Sequence, residues 1–360
     1  MQLRARGSSW VRGNMRQLDT KEPIRLAILD DYQGIGRSFV NWASLKNLSV
    51  VSFKDHVHSE DELVDRLVDF DVVMRIRERT EFTRSVLLRL PRLKLILATG
   101  MRNARSLDLA TTDELGITVS TTDALHQTTV EVTWALILGL FRGLAAEIGS
   151  LRAGGWQVSF GAGLAGKTLG IIGLGNMGIP VAKIGQLFGM NVIAWSRNLT
   201  QERASQHGVR QSSFESLLKE SDVVTMHHPL TDFSVGLIGR EEISKMKPSA
   251  FLVNTSRPHI IDEPALIEAL TNKRIAGAGL DVFLTEPLPA SHPFRVLPNV
   301  YATPHIGFVT AENMAIFYEM SLENLCAFIN GNPVNVITSK EPFLQDSQVA
   351  KQMHAGGALR

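Results

Sequence analysis

Residues 166–198 read GKTLGIIGLGNMGIPVAKIGQLFGMNVIAWSRN. A short apolar run (LGII) leads into a glycine-rich turn, then a helical stretch (IPVAKIGQLF) and a second apolar run (NVIAW). That succession is one strand–turn–helix–strand unit. The turn GLGNMG sets glycines at 173, 175 and 178. Gly173 permits the tight turn, Gly175 lets the backbone approach a pyrophosphate, and Gly178 lets helix and strand pack closely. Asn176 and Met177 lie between them on the same loop. A pyrophosphate then sits on the helix N-terminus, where unpaired N–H groups and the helix dipole favour negative charge. A glycine triplet alone is a weak signal, but the strand before it and the helix after it make a dinucleotide fingerprint.

Strand and helix signals alternate on both sides of this unit. Upstream, IRLAILD (24–30), LSVVSF (48–53), DVVMRIR (71–77) and LKLILAT (93–99) read as strands, and DELVDRLVDF (61–70) as a helix between them. A long helical stretch is expected from about Thr128 to Arg152. Downstream, SDVVTMHHPL (221–230), SAFLVNTSR (249–257), RIAGAGLDVF (274–283) and NVYATPH (299–305) continue the alternation. This pattern predicts α/β architecture with two doubly wound parallel-sheet domains. The expected divisions are a disordered leader (1–22), a substrate domain (23–126 plus 308–338), a dinucleotide domain (127–307) and a loose tail (339–360). Segment 308–338 reads as helical and is expected to return to the first domain.

An NAD-specific site usually carries an acid at the end of the second strand, about 20 residues beyond the glycines. Here no acid occurs from Gly170 to Gln201; Ser196 holds the slot and Arg197 follows. A carboxylate would repel a 2′-phosphate, whereas serine can hydrogen-bond it and arginine can pair with it. NADP(H) is therefore favoured over NAD(H). The competing reading has Arg197 stacked on adenine or facing water.

Bulk properties exclude several other classes. With 360 residues the chain is expected to form about two domains. A net charge of +1 provides no global field for nucleic acid or an anionic membrane. The single cysteine, Cys326, rules out an internal disulfide and fits a reducing, cytoplasmic setting. Apolar runs such as VTWALILGLF (132–141) are too short to span a bilayer. No metal site is expected. The first 18 residues hold four arginines and no acid, as an organelle transit peptide does. A disordered leader, with Met15 as an equally good start, is preferred.

Four ionisable groups fall at or just after strands of the second domain. Arg257 ends NTSR, LDVFLTEPLP carries Asp281 and Glu286, and ATPHIG carries His305. Ligands of an open α/β sheet bind outside the carboxyl ends of its strands. Reducing a 2-oxo acid needs a cation for the carboxylate and carbonyl, which the arginine fork provides. It also needs a proton donor for the developing alkoxide, a role suited to histidine. A carboxylate partner orients the imidazole and favours its charged form. Arg257, His305 and Glu286 match these needs in turn. Taken singly, each has a plainer reading: a surface arginine, a core histidine, a solvated glutamate.

GLGNMG, NTSR, LDVFLTEPLP and TPHIG, in this order, resemble the D-isomer-specific 2-hydroxyacid dehydrogenases, over roughly residues 24–338. The resemblance implies a substrate arginine at Arg257, a histidine-pairing glutamate at Glu286 and an acid–base histidine at His305. It implies a nicotinamide contact at Asp281, a position beside the nicotinamide at Thr255, and an adenosine-lining loop at His228 and Pro229. It places substrate-carboxylate N–H donors in ATGMRN (98–103), at Thr99, Gly100 and Met101. It also implies an active site in the cleft between domains and a homodimer through the nucleotide domain. Formate dehydrogenases of this superfamily usually pair their histidine with glutamine, so Glu286 argues against that activity. Two departures stand out. Pro258 replaces the usual glycine after the arginine, which restricts Arg257 and puts affinity or rate in doubt. The 98–108 loop is longer than usual and carries Arg102 and Arg105, placed either for a second substrate anion or, as preferred, in solvent.

The expected activity is reduction of a small 2-oxo acid of the glyoxylate or hydroxypyruvate type. One alternative is an NAD-linked 3-phosphoglycerate dehydrogenase, disfavoured by Ser196 and by the lack of a C-terminal regulatory domain. Another is a dinucleotide-sensing protein resembling the corepressors of the superfamily, disfavoured by the absence of long tails or basic patches.

Overall fold

The computed structural model describes Arg16, residues 22–100 and residues 106–341. Thirteen strands are described in chain order: β1 Ile24–Ile28, β2 Leu48–Ser52, β3 Val72–Arg75, β4 Leu95–Ala98, β5 Thr118–Thr121, β6 Thr168–Ile172, β7 Asn191–Trp195, β8 Arg210–Gln211, β9 Val223–Met226, β10 Phe251–Asn254, β11 Gly277–Leu280, β12 Val300–Ala302 and β13 Val336–Ile337. The chain forms two compact units, one running to Ala124 and resuming at Ala311, the other spanning Leu125–Thr310.

The first unit is built on a six-stranded sheet in the order β13-β5-β4-β3-β1-β2. Its first five strands pair in parallel, and β13 closes the edge antiparallel to β5. Strands β3, β4 and β5 are buried throughout; β3 and β4 accordingly read as near-continuous apolar runs, whereas β5 is the hydroxyl-rich TVST. The helix Ala311–Ile329 supplies buried Phe317, Tyr318, Leu325 and Phe328 to this unit. The expectation of a helix throughout 308–338 is corrected here, because the chain ends in the edge strand β13. Two residues carry no periodicity, and their pairing depends on β5. Arg16, inside the segment read as a leader, donates from Nη1 to the Leu93 carbonyl at 2.9 Å.

The second unit is an all-parallel, seven-stranded sheet in the order β12-β11-β10-β9-β6-β7-β8. Alternate strand residues feed two cores. Ile172, Ile193, Val224 and Leu252 pack into one, while Ile171, Ala194, Val223 and Val253 pack into the other. That is the period-two consequence of a sheet covered on both faces. The strand order reverses at β6, between β7 and β9, and such a switch point is where ligands of this fold bind.

The single long helix expected over 128–152 is two, Gln127–Arg142 and Leu144–Arg152, bent by 69°. Gly143 makes the break with φ +61, a backbone that glycine adopts without the penalty of a Cβ. The apolar pattern runs on through the break, so periodicity alone does not reveal it. Among the described residues no single helix is long and apolar enough to cross a membrane.

Candidate active site

The parallel strands of the second unit all end on one edge of the sheet, which collects the candidate residues. Gly173 follows β6, Ser196 follows β7, His227 follows β9, Thr255 follows β10, Asp281 follows β11, and His305 lies three residues beyond β12.

At the glycine turn, Gly173 has φ +102, and a Cβ there would come within 2.7 Å of the His227 carbonyl. A Cβ on Gly178 would lie 2.1 Å from the Gly173 oxygen, so the helix Gly178–Leu187 can start here only with glycine. At Gly175 a Cβ would meet nothing within 4 Å. The backbone of this turn is thus bare on one side. No side chain caps the helix, whose N-cap is Met177; the Ile179 N–H donates to the Gly175 carbonyl at 2.9 Å and Pro180 has no N–H, which leaves the Gly178 N–H at the turn for an anion. These features fit a dinucleotide pyrophosphate.

Beside the turn lies a recess of about 160 Å³ lined by Leu174, Ser196, Arg197, Asn198, Leu199, Arg203 and His228. It contains two guanidinium groups and no carboxylate. Ser196 Oγ accepts from the Leu174 N–H at 3.0 Å, tying the β7 end to the glycine turn. The Arg197 guanidinium sits 5.0 Å from the centroid of the Phe233 ring, a cation–π contact. His228 Nδ1 lies 2.8 Å from the Pro229 carbonyl, and the His228 carbonyl accepts from Ser256 Oγ at 2.7 Å. His227, which turns into the sheet end, is held neutral: burial lowers its pKa to about 4.

At the β10 end, Asn254 organises the turn that carries Arg257. Its Nδ2 donates to the Arg257 carbonyl at 2.9 Å, and its Oδ1 accepts from the Ser256 N–H at 2.9 Å. Arg257 is extended (φ −141, ψ 138) and Pro258 opens a short 3₁₀ turn. Proline suits that first position, where the missing N–H would have had no helical partner. Thr255 is buried, its hydroxyl 2.7 Å from that of Thr133.

His305 Nδ1 stands 2.7 Å from Glu286 Oε2, with the two side chains 21% and 23% exposed. Glu286 Oε1 accepts from the Phe283 N–H at 3.0 Å, so the carboxylate is anchored at both ends. Asp281 is buried, and its oxygens accept from Thr303 Oγ1 at 2.6 Å and from the N–H groups of Ile306 and Gly307 at 2.9 and 2.8 Å. Burial pushes the Asp281 carboxyl above its ordinary pKa, opposed first by the Thr303 hydroxyl.

In the first unit, the backbone donors expected at Thr99 and Gly100 are already committed. The Thr99 N–H donates to the Arg75 carbonyl at 3.2 Å, and the Gly100 N–H donates to Thr122 Oγ1 at 2.9 Å. The neighbouring strands take both donors, which the sequence of the loop alone does not disclose. Met101, Arg102 and Arg105 lie outside the described residues.

A family described as "D-isomer specific 2-hydroxyacid dehydrogenase, NAD binding domain" matches residues 134–307. The chain is 40% identical to a glyoxylate reductase of Aeropyrum pernix over 260 residues, 69% of this chain and 77% of that one. The chain belongs to the D-isomer-specific 2-hydroxyacid dehydrogenase family. It is accordingly an NAD(P)-dependent oxidoreductase of 2-hydroxy acids with two α/β units, one of them a Rossmann-type domain. It is also 38% identical to a D-3-phosphoglycerate dehydrogenase of Methanocaldococcus jannaschii, over 71% of this chain and 49% of that relative. Among solved structures, a phosphoglycerate oxidoreductase from Vibrio cholerae superposes with a TM-score of 0.81 at 33% identity, covering 86% of this chain and 99% of that one.

Sequence reading of this dehydrogenase missed Arg203 and Asn254. Arg203 stands six residues beyond Arg197, just inside a helix whose N-cap is Thr200; that cap was the signal available. Asn254 precedes TSR, and nothing in the sequence distinguishes its structural role.

Proposed function

We propose that this dehydrogenase is an NADP(H)-preferring reductase of a small 2-oxo acid such as glyoxylate or hydroxypyruvate. The observation that carries the reading is the Glu286–His305 pair, set on the same sheet edge as the glycine turn and the arginine-lined recess. The 40% identity to a glyoxylate reductase supports the substrate class.

Hydride donation is the chemistry a reduced nicotinamide supplies when bound. The protein's own residues do the rest. Gly175, Asn176, Met177 and Gly178 receive the pyrophosphate on backbone N–H groups, while Gly173, whose own N–H donates to the Trp195 carbonyl at 2.8 Å, shapes the turn. Ser196, Arg197 and Arg203 take the 2′-phosphate: the Ser196 hydroxyl already accepts from Leu174 and keeps its proton to donate. His228, Pro229 and Thr255 line the path of the dinucleotide. Arg257 pairs with the substrate carboxylate and polarises the 2-oxo group. As the carbonyl carbon gains hydride, its oxygen takes a proton from His305 Nε2, the ring nitrogen that Glu286 does not hold. The Glu286 carboxylate fixes the tautomer and stabilises the imidazolium that delivers the proton. The reverse oxidation runs through the same groups, with His305 as base.

A homodimer through the nucleotide-binding unit is part of this reading. No residue of the helix Leu144–Arg152 is buried, and Leu144, Ile148, Leu151, Trp156, Val158 and Phe160 are all exposed. Such an apolar stretch marks an interface, and a second copy of this chain is the proposed occupant. A cytoplasmic location rests on the lone Cys326 alone.

The test is stereochemical. Hydroxypyruvate reduced by this protein should give only the D-hydroxy acid; an L product would refute the assignment. The phosphoglycerate relatives favour a second reading, with a phosphorylated 2-oxo acid as substrate. Including 3-phosphohydroxypyruvate in the same assay separates the two.

A further inference from the structure

His305 has φ +51, a left-handed conformation unfavourable for a residue with a side chain beyond Cβ. Something must hold it, and its flanking residues all lead to one carboxylate. Thr303 Oγ1 and the Ile306 N–H both donate to Asp281 Oδ1, at 2.6 and 2.9 Å. The Gly307 N–H donates to Asp281 Oδ2 at 2.8 Å. The His305 N–H itself donates back to the Thr303 carbonyl at 2.8 Å. Beyond the histidine, Thr129 Oγ1 donates to the Gly307 carbonyl at 3.1 Å. A Cβ at Gly307 would lie 3.0 Å from Asp281 Oδ2, so the chain passes close over the carboxylate. Asp281 is fixed in turn, since it directly follows β11 and its N–H donates to the Asn254 carbonyl at 3.0 Å.

We propose that Thr303 is a positioning residue for the reaction: its hydroxyl, through Asp281, locks the left-handed turn that presents the His305 imidazole to Glu286. Among the described residues three groups donate to Asp281, and Thr303 supplies the one side chain of the three, on the N-terminal side of the histidine. Without it the carboxylate grips the loop from the C-terminal side alone, and φ of His305 is free to relax. The buried Asp281 carboxyl also loses the strongest group favouring its ionised form. A protonated Asp281 no longer accepts from all the loop N–H groups. The inference rests on the reading of His305 as the acid–base residue.

The experiment compares Thr303→Val, Thr303→Ala, Thr303→Ser and His305→Ala with the wild type. It measures kcat and KM with glyoxylate and NADPH, and dinucleotide Kd by fluorescence. Thr303→Val is expected to lower kcat by about tenfold or more, the rate equivalent of losing one such restraint. KM and dinucleotide Kd should stay within about twofold, and serine should restore kcat. Thr303→Ala carries the test if the valine variant does not fold. A purely structural role would lower thermal stability while leaving the kcat of the folded protein unchanged. Val and Ala variants with kcat near the wild-type value, beside an inactive His305→Ala, would overturn the inference and spare the histidine. An active His305→Ala would instead remove the reading on which it rests.

Discussion

Glu286 Oε2 lies 2.7 Å from His305 Nδ1, while its other oxygen accepts from the backbone of Phe283. The carboxylate is thus held by its own turn before it holds the imidazole, and it fixes which ring nitrogen can meet a substrate. Replacing Glu286 with Gln keeps the shape but removes the charge that stabilises an imidazolium. We expect kcat to fall by about 10²-fold, with dinucleotide affinity unchanged. Removing the imidazole in His305→Ala should cost about 10²–10⁴-fold in kcat. Steady-state kinetics at saturating cofactor check both values.

The arginine-lined recess makes a prediction about cofactor choice. Arg197→Ala and Arg203→Ala should each raise KM for NADPH by about tenfold, as expected for one charged hydrogen bond of ~1.5 kcal/mol. KM for NADH should barely change. Ser196→Asp should go further and reverse the preference, because a carboxylate repels the 2′-phosphate. Paired NADPH and NADH titrations of the three variants measure this directly.

The glycine turn should tolerate no side chain at Gly173. With φ +102 and a Cβ position 2.7 Å from the His227 carbonyl, Gly173→Ala requires the turn to move. Dinucleotide binding should weaken by at least about tenfold, and stability should fall by ~1–3 kcal/mol. Calorimetric titration and thermal melts read the two effects.

His227 predicts a pH dependence of stability. Burial lowers its folded pKa to about 4, against an ordinary 6.5. Between those values the unfolded chain binds the proton and the folded chain does not, so protonation favours unfolding. The stabilising contribution is complete above pH 6.5 and is lost as pH falls toward 4, at up to ~1.4 kcal/mol per pH unit. His227→Gln, which does not titrate, should show a shallower loss of melting temperature over that window. Equal slopes for the two proteins would contradict the assignment.

The exposed apolar stretch predicts the assembly state. Leu151→Glu with Phe160→Glu should convert a dimer to a monomer that still binds dinucleotide. Light scattering after gel filtration gives the mass.

The nucleotide-binding unit was legible in the sequence because its strands are buried on both faces and its glycines stand at fixed spacing. The pairing of Glu286 with His305 was legible by residue type, although the two lie 19 positions apart. Features that depend on neighbouring elements were not legible. The apolar pattern runs unbroken through Gly143, so the kink there shows only in the fold. β13 is too short to show a period. Arg203 reaches the recess because its helix, capped by Thr200, starts at Gln201. The Thr99 and Gly100 N–H groups look free in the sequence, yet Arg75 and Thr122 take them. Pro258 looked disruptive after Arg257, but it occupies the first position of a 3₁₀ turn, where it costs no hydrogen bond.

The most direct test of the central claim is steady-state oxidation of NADPH and of NADH by the purified protein, with glyoxylate and hydroxypyruvate as substrates. The account predicts turnover with both acids and kcat/KM at least about tenfold higher with NADPH, the factor that ~1.4 kcal/mol supplies. Tight dinucleotide binding without turnover of either acid would contradict it.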